Sequence, residues 1–129
     1  MSFFTAINCM DGRVQKPVIE YLTGRFGVDF IDTITEPGPV RILAEQMDPD
    51  LLRSIFRRVD VSIEKHASRG IAVVAHHDCA GNPYPASVQR DQLDKAVACV
   101  KSRYPEMPVI ALWVDDSWSV SEVEPDEGM

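Results

Sequence analysis

Four short apolar runs, Phe3–Ile7, Phe30–Ile34, Ile71–Ala75 and Val109–Val114, are separated by longer stretches with helical spacing. The runs are rich in Val, Ile and Phe, and three of them show little two-residue alternation, the pattern of strands buried on both faces. Val18, Ile19, Leu22 and Phe26 follow the first run at helical spacing, with Gly24 and Gly27 near the end of the segment. A second helix starts at an Asp48 N-cap with Pro49 in its first position. It buries Leu52, Ile55, Phe56, Val59 and Ile63, and closes on Lys65, His66 and Arg69 with Gly70 just beyond. A third helix is expected after Ser87, burying Leu93, Ala96, Val97, Val100 and Tyr104 and stopping before Pro105. A shorter one, Val40–Met47, follows the turn Glu36-Pro37-Gly38-Pro39. Strand–helix alternation of this kind implies a three-layer α/β domain around a mainly parallel, roughly four-stranded sheet with right-handed crossovers. Its ligands belong at the carboxyl ends of the strands, where strand order reverses.

The 129 residues are expected to divide into a single domain, 1–118, and an acidic, frayed tail, 119–129, that holds Glu122, Glu124, Asp126 and Glu127. The net charge of -7, without a Lys/Arg cluster, argues against nucleic acid and anionic membranes as partners. Three cysteines, an odd number, argue against a disulfide-stapled secreted fold. Neither a secretory leader nor an apolar run of membrane-spanning length is read in the chain, so a reducing, cytoplasmic setting is expected. Gly-x-Gly-x-x-Gly and Gly-x4-Gly-Lys-[Ser/Thr] are absent, which leaves nucleotide binding without support.

Two strand exits carry reactive side chains. The first strand runs into Cys9-Met10-Asp11-Gly12-Arg13 and the third into His76-His77-Asp78-Cys79. His76 and Cys79 can reach one ion from a tight loop, and Cys9 from a neighbouring strand end completes a Cys2His set. Zinc favours this mix of thiolate and imidazole, and three protein ligands leave a fourth position open for chemistry. His77 is the alternative imidazole if the loop turns one residue later. Arg13 can hold Asp11 ionised and fixed in direction, ready to orient a water beside the metal. Freed from Arg13, the same carboxylate could swing onto the metal and close the site.

The blander readings are also specific. A lone buried cysteine is ordinarily a small apolar side chain, the role given to Cys99. His66 reads as a cation at a helix end, Asp78 as a turn former, and Trp113 and Trp118 as packing residues. A phosphatase-like loop needs arginine six positions after its cysteine, where this chain has Gln15 and Pro85, and no Cys-x-x-Cys pair occurs.

Together the motifs resemble those of the β-class carbonic anhydrases, which carry Cys-x-Asp-x-Arg after the first core strand and His-x-x-Cys-Gly after a later one. Cys9-Met10-Asp11-Gly12-Arg13 matches the first; His76-His77-Asp78-Cys79 matches the second, with Ala80 in place of the glycine. The run Val109–Val114 followed by Asp115 and Asp116 resembles the family's next core strand. Where the family has an Arg-Asn-Ala-Gly type segment after its second strand, this chain has Thr35-Glu36-Pro37-Gly38-Pro39. The resemblance implies a β-carbonic-anhydrase-like fold with Zn2+ on Cys9, His76 and Cys79 and a catalytic Asp11–Arg13 dyad. It further implies hydration of carbon dioxide to bicarbonate by a zinc-bound hydroxide, in a homodimer or higher homo-oligomer. Other proteins of this fold hydrolyse carbonyl sulfide or carbon disulfide, which are alternative substrates for the same site. A non-catalytic zinc-binding regulatory module is a further alternative, and a metal-free scaffold the last.

Overall fold

A computed structural model describes residues 1–124. The four runs form β1 (Phe3–Cys9), β2 (Phe30–Glu36), β3 (Ile71–His76) and β4 (Val109–Val114), all mutually parallel where they pair. A fifth strand, β5 (Val120–Val123), runs antiparallel to β4, with Val114 opposite Val120 and Ala111 opposite Val123. Among the described residues the sheet therefore has five strands rather than about four. The first part of the stretch expected to be tail is hydrogen-bonded into it, while residues 125–129 lie outside the described residues.

Strand order is β2-β1-β3-β4-β5. The chain steps from β1 outward to β2 and then crosses back to lay β3 on the other side of β1, so order reverses between β1 and β3. Ile7 stands opposite Val73 across that seam. Open α/β sheets form their ligand crevice at such a reversal, beyond the carboxyl ends of the two strands. Cys9 ends one of them and His76 the other.

Alternating side chains feed two cores. Phe4, Ala6, Ala72, Val74, Leu112 and Val114 face helix α1 (Gln15–Phe26), against Val18 and Leu22. Ile7, Ile34, Ile71, Val73 and Ala111 face α2 (Pro39–Glu45), α3 (Pro49–His66) and α4 (Ala86–Arg103). Each Leu, Ile or Val so buried contributes about 1.5–3 kcal/mol over leaving it in water. Thr5, the one hydroxyl among these inner positions of β1, is satisfied by Ser62 Oγ at 2.7 Å and Ser68 Oγ at 2.6 Å. Among the described residues no helix is long and apolar enough to cross a membrane.

The helix ends differ in detail from the sequence reading. Asp48 caps α3 as expected, accepting from the Leu51 N–H at 3.0 Å with Pro49 behind it. The helix then stops at Ala67, which takes the left-handed conformation (φ 50). Gly70 is not its cap: a Cβ there would lie 2.5 Å from the Phe4 ring, so glycine is needed for packing. Gly27 (φ 62) closes α1, and Gly24 is simply helical. His66, in the last turn of α3, meets Asp32 Oδ2 at 2.6 Å, while Cys99 packs half-buried against the α3–α4 core.

Candidate metal centre

Asn8 and Gln15 shape the exit of β1. Asn8 is buried; its Oδ1 accepts from the Cys9 N–H at 2.8 Å and its Nδ2 donates to the Val14 carbonyl at 3.1 Å. Gln15 Nε2 donates to the Cys9 carbonyl at 2.6 Å and to that of Asp11 at 3.2 Å. The chain therefore leaves the sheet into a fixed 3-10 turn, Gly12–Val14, with Cys9 buried beneath it. The exit of β3 is held in the same way from α4, where the buried Gln89 donates to the carbonyls of His76 and Tyr84, both at 3.0 Å. Asp78 turns the loop back in a left-handed conformation (φ 58) and delivers Cys79 to the same crevice.

Cys9, His76 and Cys79 converge there, all buried, with their ligand atoms within 4.8 Å of one another. The two Sγ atoms are 3.8 Å apart. Two sulfurs at about 2.3 Å from a tetrahedral zinc would stand ~3.8 Å apart, so the pair already has the spacing of a zinc edge. His76 Nδ1–H donates to the His77 carbonyl at 2.7 Å, which leaves Nε2 as the lone-pair nitrogen. That Nε2 is buried and has no hydrogen-bond partner among the described residues. An orphaned imidazole nitrogen beside two thiols fits a thiophilic metal ion and has little other use in a packed interior.

The electrostatics agree with that fit. The hydrogen bond from Cys79 pulls the Cys9 thiol well below the ordinary range against the cost of burial, with help from His76 and the main chain of Gly38 and Asp11. Its partner Cys79 moves up, because it holds the proton the two sulfurs share. Burial disfavours charge on His76, but the Cys9 sulfur and the His77 carbonyl outweigh it and raise the imidazole. The proton held on Cys79 is the one a metal would displace.

Asp11 and Arg13 stand at the rim. Arg13 Nη2 donates to Asp11 Oδ2 at 2.6 Å and Nε to Oδ1 at 3.0 Å, a bidentate fork. Asp11 Oδ1 also accepts from the Arg13 N–H at 2.9 Å. The guanidinium holds the Asp11 carboxyl down to about 2, so it is ionised throughout the physiological range. Its charge also reaches His76.

A family model described as "Putative carbonic anhydrase" matches residues 1–124. The chain belongs to that family. Three solved carbonic anhydrases share the fold of this family member. One, from Glaciozyma antarctica, has a TM-score of 0.60 at 16% identity over 94% of this chain and 81% of its own. A second is one of two tetrameric β-carbonic anhydrases from Sordaria macrospora, with a TM-score of 0.62 at 9% identity, covering 93% of this chain and 79% of that one. The third, the β-carbonic anhydrase CafA of Aspergillus fumigatus, has a TM-score of 0.61 at 12% identity over 97% and 76%. No curated protein sequence matches the chain.

Within this family member the residues singled out by sequence separate cleanly. Cys9, His76 and Cys79 come together, and Asp11 pairs with Arg13 beside them. His77 is exposed and lies outside the set. Its N–H extends the sheet to the Val114 carbonyl at 2.9 Å. Trp113 is a packing residue; Trp118 is not only that, since its ring covers Arg13. Tyr84 is exposed and lines, with Cys79, Pro83, Pro85 and Trp113, a groove of about 460 Å³ beside the set. Asn8, Gln15 and Gln89 are the residues that sequence reasoning passes over. The available signals were a polar residue closing an apolar strand, and a glutamine in the buried register of Leu93, Ala96 and Val100.

Proposed function

We propose that this protein is a zinc enzyme of the carbonic anhydrase type, hydrating carbon dioxide to bicarbonate, with Cys9, His76 and Cys79 as the metal ligands. The observation that carries the reading is the orphaned Nε2 of His76 set against two sulfurs 3.8 Å apart, with a carboxylate–guanidinium pair at the rim. A structural zinc site has no use for such a pair. When bound, zinc lowers the pKa of a water from 15.7 to about 7 and so makes a nucleophile available near neutral pH.

The chain's own residues do the rest. Asp11, kept ionised by Arg13, accepts a hydrogen bond from the attacking water and directs its remaining lone pair at the substrate carbon. Oδ2 accepts from Nη2 at 2.6 Å and takes only a share of Nε, at 3.2 Å against 3.0 Å for Oδ1, which leaves it acceptor capacity for that water. Arg13 prevents the carboxylate from rotating, which removes an orientation cost from the reaction. Val40, Val74 and Ala75 pack closely around Cys9, His76 and Cys79 and keep bulk water from them. Assembly into a homodimer or higher homo-oligomer belongs to the same reading.

Stopped-flow hydration of carbon dioxide followed with a pH indicator, run beside a sulfide-release assay with carbonyl sulfide on protein of measured zinc content, tests this function. Metal-dependent acceleration of the first reaction supports it. Acceleration of the second alone reassigns the substrate, and no acceleration of either by zinc-loaded protein overturns the enzyme.

A further inference from the structure

Arg13 is held from three sides. Asp11 takes Nε and Nη2, as described. Asp78 takes Nη1 on its carboxylate at 3.3 Å and Nη2 on its carbonyl at 3.1 Å. The third side is the ring of Trp118, whose centroid lies 4.5 Å from the guanidinium carbon.

Trp118 reaches that position from the turn between β4 and β5. Asp115 builds the turn: its Oδ1 accepts from the N–H groups of Ser117 and Ser119, both at 2.9 Å, and its carbonyl accepts from Trp118 at 3.0 Å. Trp118 itself has φ 61, in the left-handed region that glycine and asparagine occupy easily and bulky residues rarely do. The turn would be better served by glycine. What the tryptophan adds is its ring, which lies over Arg13 and meets His77 edge-on at a centroid distance of 6.4 Å. Strained backbone that presents one side chain to a reactive site is retained for what that side chain does there.

An exposed carboxylate–arginine pair is ordinarily loose, because water and side-chain entropy compete with it. Arg13 is still 46% exposed, so the Asp11 pairing needs further support to stay in one geometry. A flat indole over the guanidinium supplies it through cation–π attraction and by excluding water from one face.

We propose that Trp118 is a positioning residue for the metal centre: its ring, presented by the left-handed β4–β5 turn, locks the Arg13 guanidinium so that Asp11 stays paired and away from the Cys9–His76–Cys79 set. The proposal rests on the reading of that set as a metal site. Without the ring, Arg13 is freer and releases Asp11. Asp11 follows Cys9 by two residues, so its released carboxylate competes as an oxygen donor for the ion's open position.

The test uses cobalt(II)-loaded protein with azide as the probe of that position, read by visible absorption, and compares wild type with Trp118→Gly and Trp118→Phe. Glycine relieves the turn but deletes a ring that also packs against the α1-side core, so the melting temperature is recorded beside the affinity as a control for folding. The azide affinity of Trp118→Gly is expected to fall about two- to five-fold, the size of one partly exposed cation–π contact. Trp118→Phe should keep most of the wild-type affinity, and adding Asp11→Ala to Trp118→Gly should restore azide binding. A merely structural tryptophan would lower melting temperature and azide affinity together, without rescue by Asp11→Ala. Unchanged azide affinity in Trp118→Gly overturns the proposal, as does a loss that Asp11→Ala fails to restore. If wild type shows no sulfur-to-cobalt charge-transfer absorption, the metal-site reading fails first and takes this inference with it.

Discussion

Gly81 rests directly on Pro37: a Cβ added to Gly81 would lie 2.5 Å from the Pro37 carbonyl carbon and 2.9 Å from the nitrogen of Gly38. A Cβ on Gly38, itself at φ 66, would in turn meet the Gly81 backbone at 2.8 Å. Two main chains are thus in contact where the loop carrying Cys79 crosses the turn between β2 and α2. Both turns lend main-chain groups that favour the thiolates, Gly38 for Cys9 and Gly81 for Cys79. The turn between β2 and α2 therefore serves as the seat of the loop that carries Cys79.

Gly81→Ala should push the loop off that seat. Backbone cannot give way as the end of a flexible side chain can, so a stability loss of about 1–3 kcal/mol is expected. Metal affinity should weaken as well. Gly12→Ala is the control, because nothing lies within 4 Å of its Cβ. Urea unfolding and chelator competition on both variants check this, and equal behaviour of the two would refute the seat.

Replacing a ligand should empty the site without abolishing the fold. Cys79→Ser, Cys9→Ser and His76→Ala are each expected to retain less than about a tenth of an equivalent of zinc, because harder or missing donors leave too few soft ligands. Metal analysis of protein purified without chelator reads the outcome.

Asp11→Ala should part metal from turnover. Its side chain is held by Arg13 rather than by Cys9, His76 or Cys79, so zinc content is expected to stay at the wild-type level. Loss of the oriented acceptor should reduce kcat by roughly 10²-fold or more. Full activity in this variant, measured by stopped-flow hydration, would remove Asp11 from the mechanism.

Alkaline stability should depend on Tyr104. Burial, and then the 2.6 Å hydrogen bond to Asp60, raise its phenol above the ordinary value. A raised folded pKa means that the contribution is intact below the unfolded value of about 10 and is lost as pH climbs from there through the folded pKa. Tyr104→Phe should cost about 1 kcal/mol at pH 7 through the lost hydrogen bond. It should also flatten the decline above pH 10. Urea midpoints of both proteins between pH 7 and pH 11.5 give the comparison, and parallel curves would exclude Tyr104 as the cause.

Much of the fold is legible because β1 and β3 are buried along almost their whole length, so an apolar run is enough to mark them. β2 reads the same way in sequence yet is an edge strand with Phe30 48% exposed, since an apolar run does not reveal which edge remains uncovered. β5 escapes because four residues, Val-Ser-Glu-Val, carry too little apolar signal among acidic neighbours; pairing with β4 decides it. Ala67 takes the left-handed cap that a glycine was expected to provide, while Gly70 is committed to the Phe4 ring. The reactive side chains are legible because chemistry restricts them to Cys, His, Asp and Arg at strand exits. The supporting amides are not. Asn8, Gln15 and Gln89 act by gripping carbonyls and N–H groups, and any residue offers those.

The reversal of strand order between β1 and β3 also sets a timetable. Cys9 and Cys79 are 70 positions apart, and α1, β2, α2, α3 and β3 are made in between. During synthesis Cys9 emerges well before Cys79, and the two can meet only once the loop after β3 has emerged and that long crossover has closed against its neighbour. A complete donor set is therefore a late event in folding. Under the proposed reading, acquisition of the ion reports that the centre of the sheet has zipped, and a nascent chain stalled before that point offers zinc no more than an ordinary cysteine does.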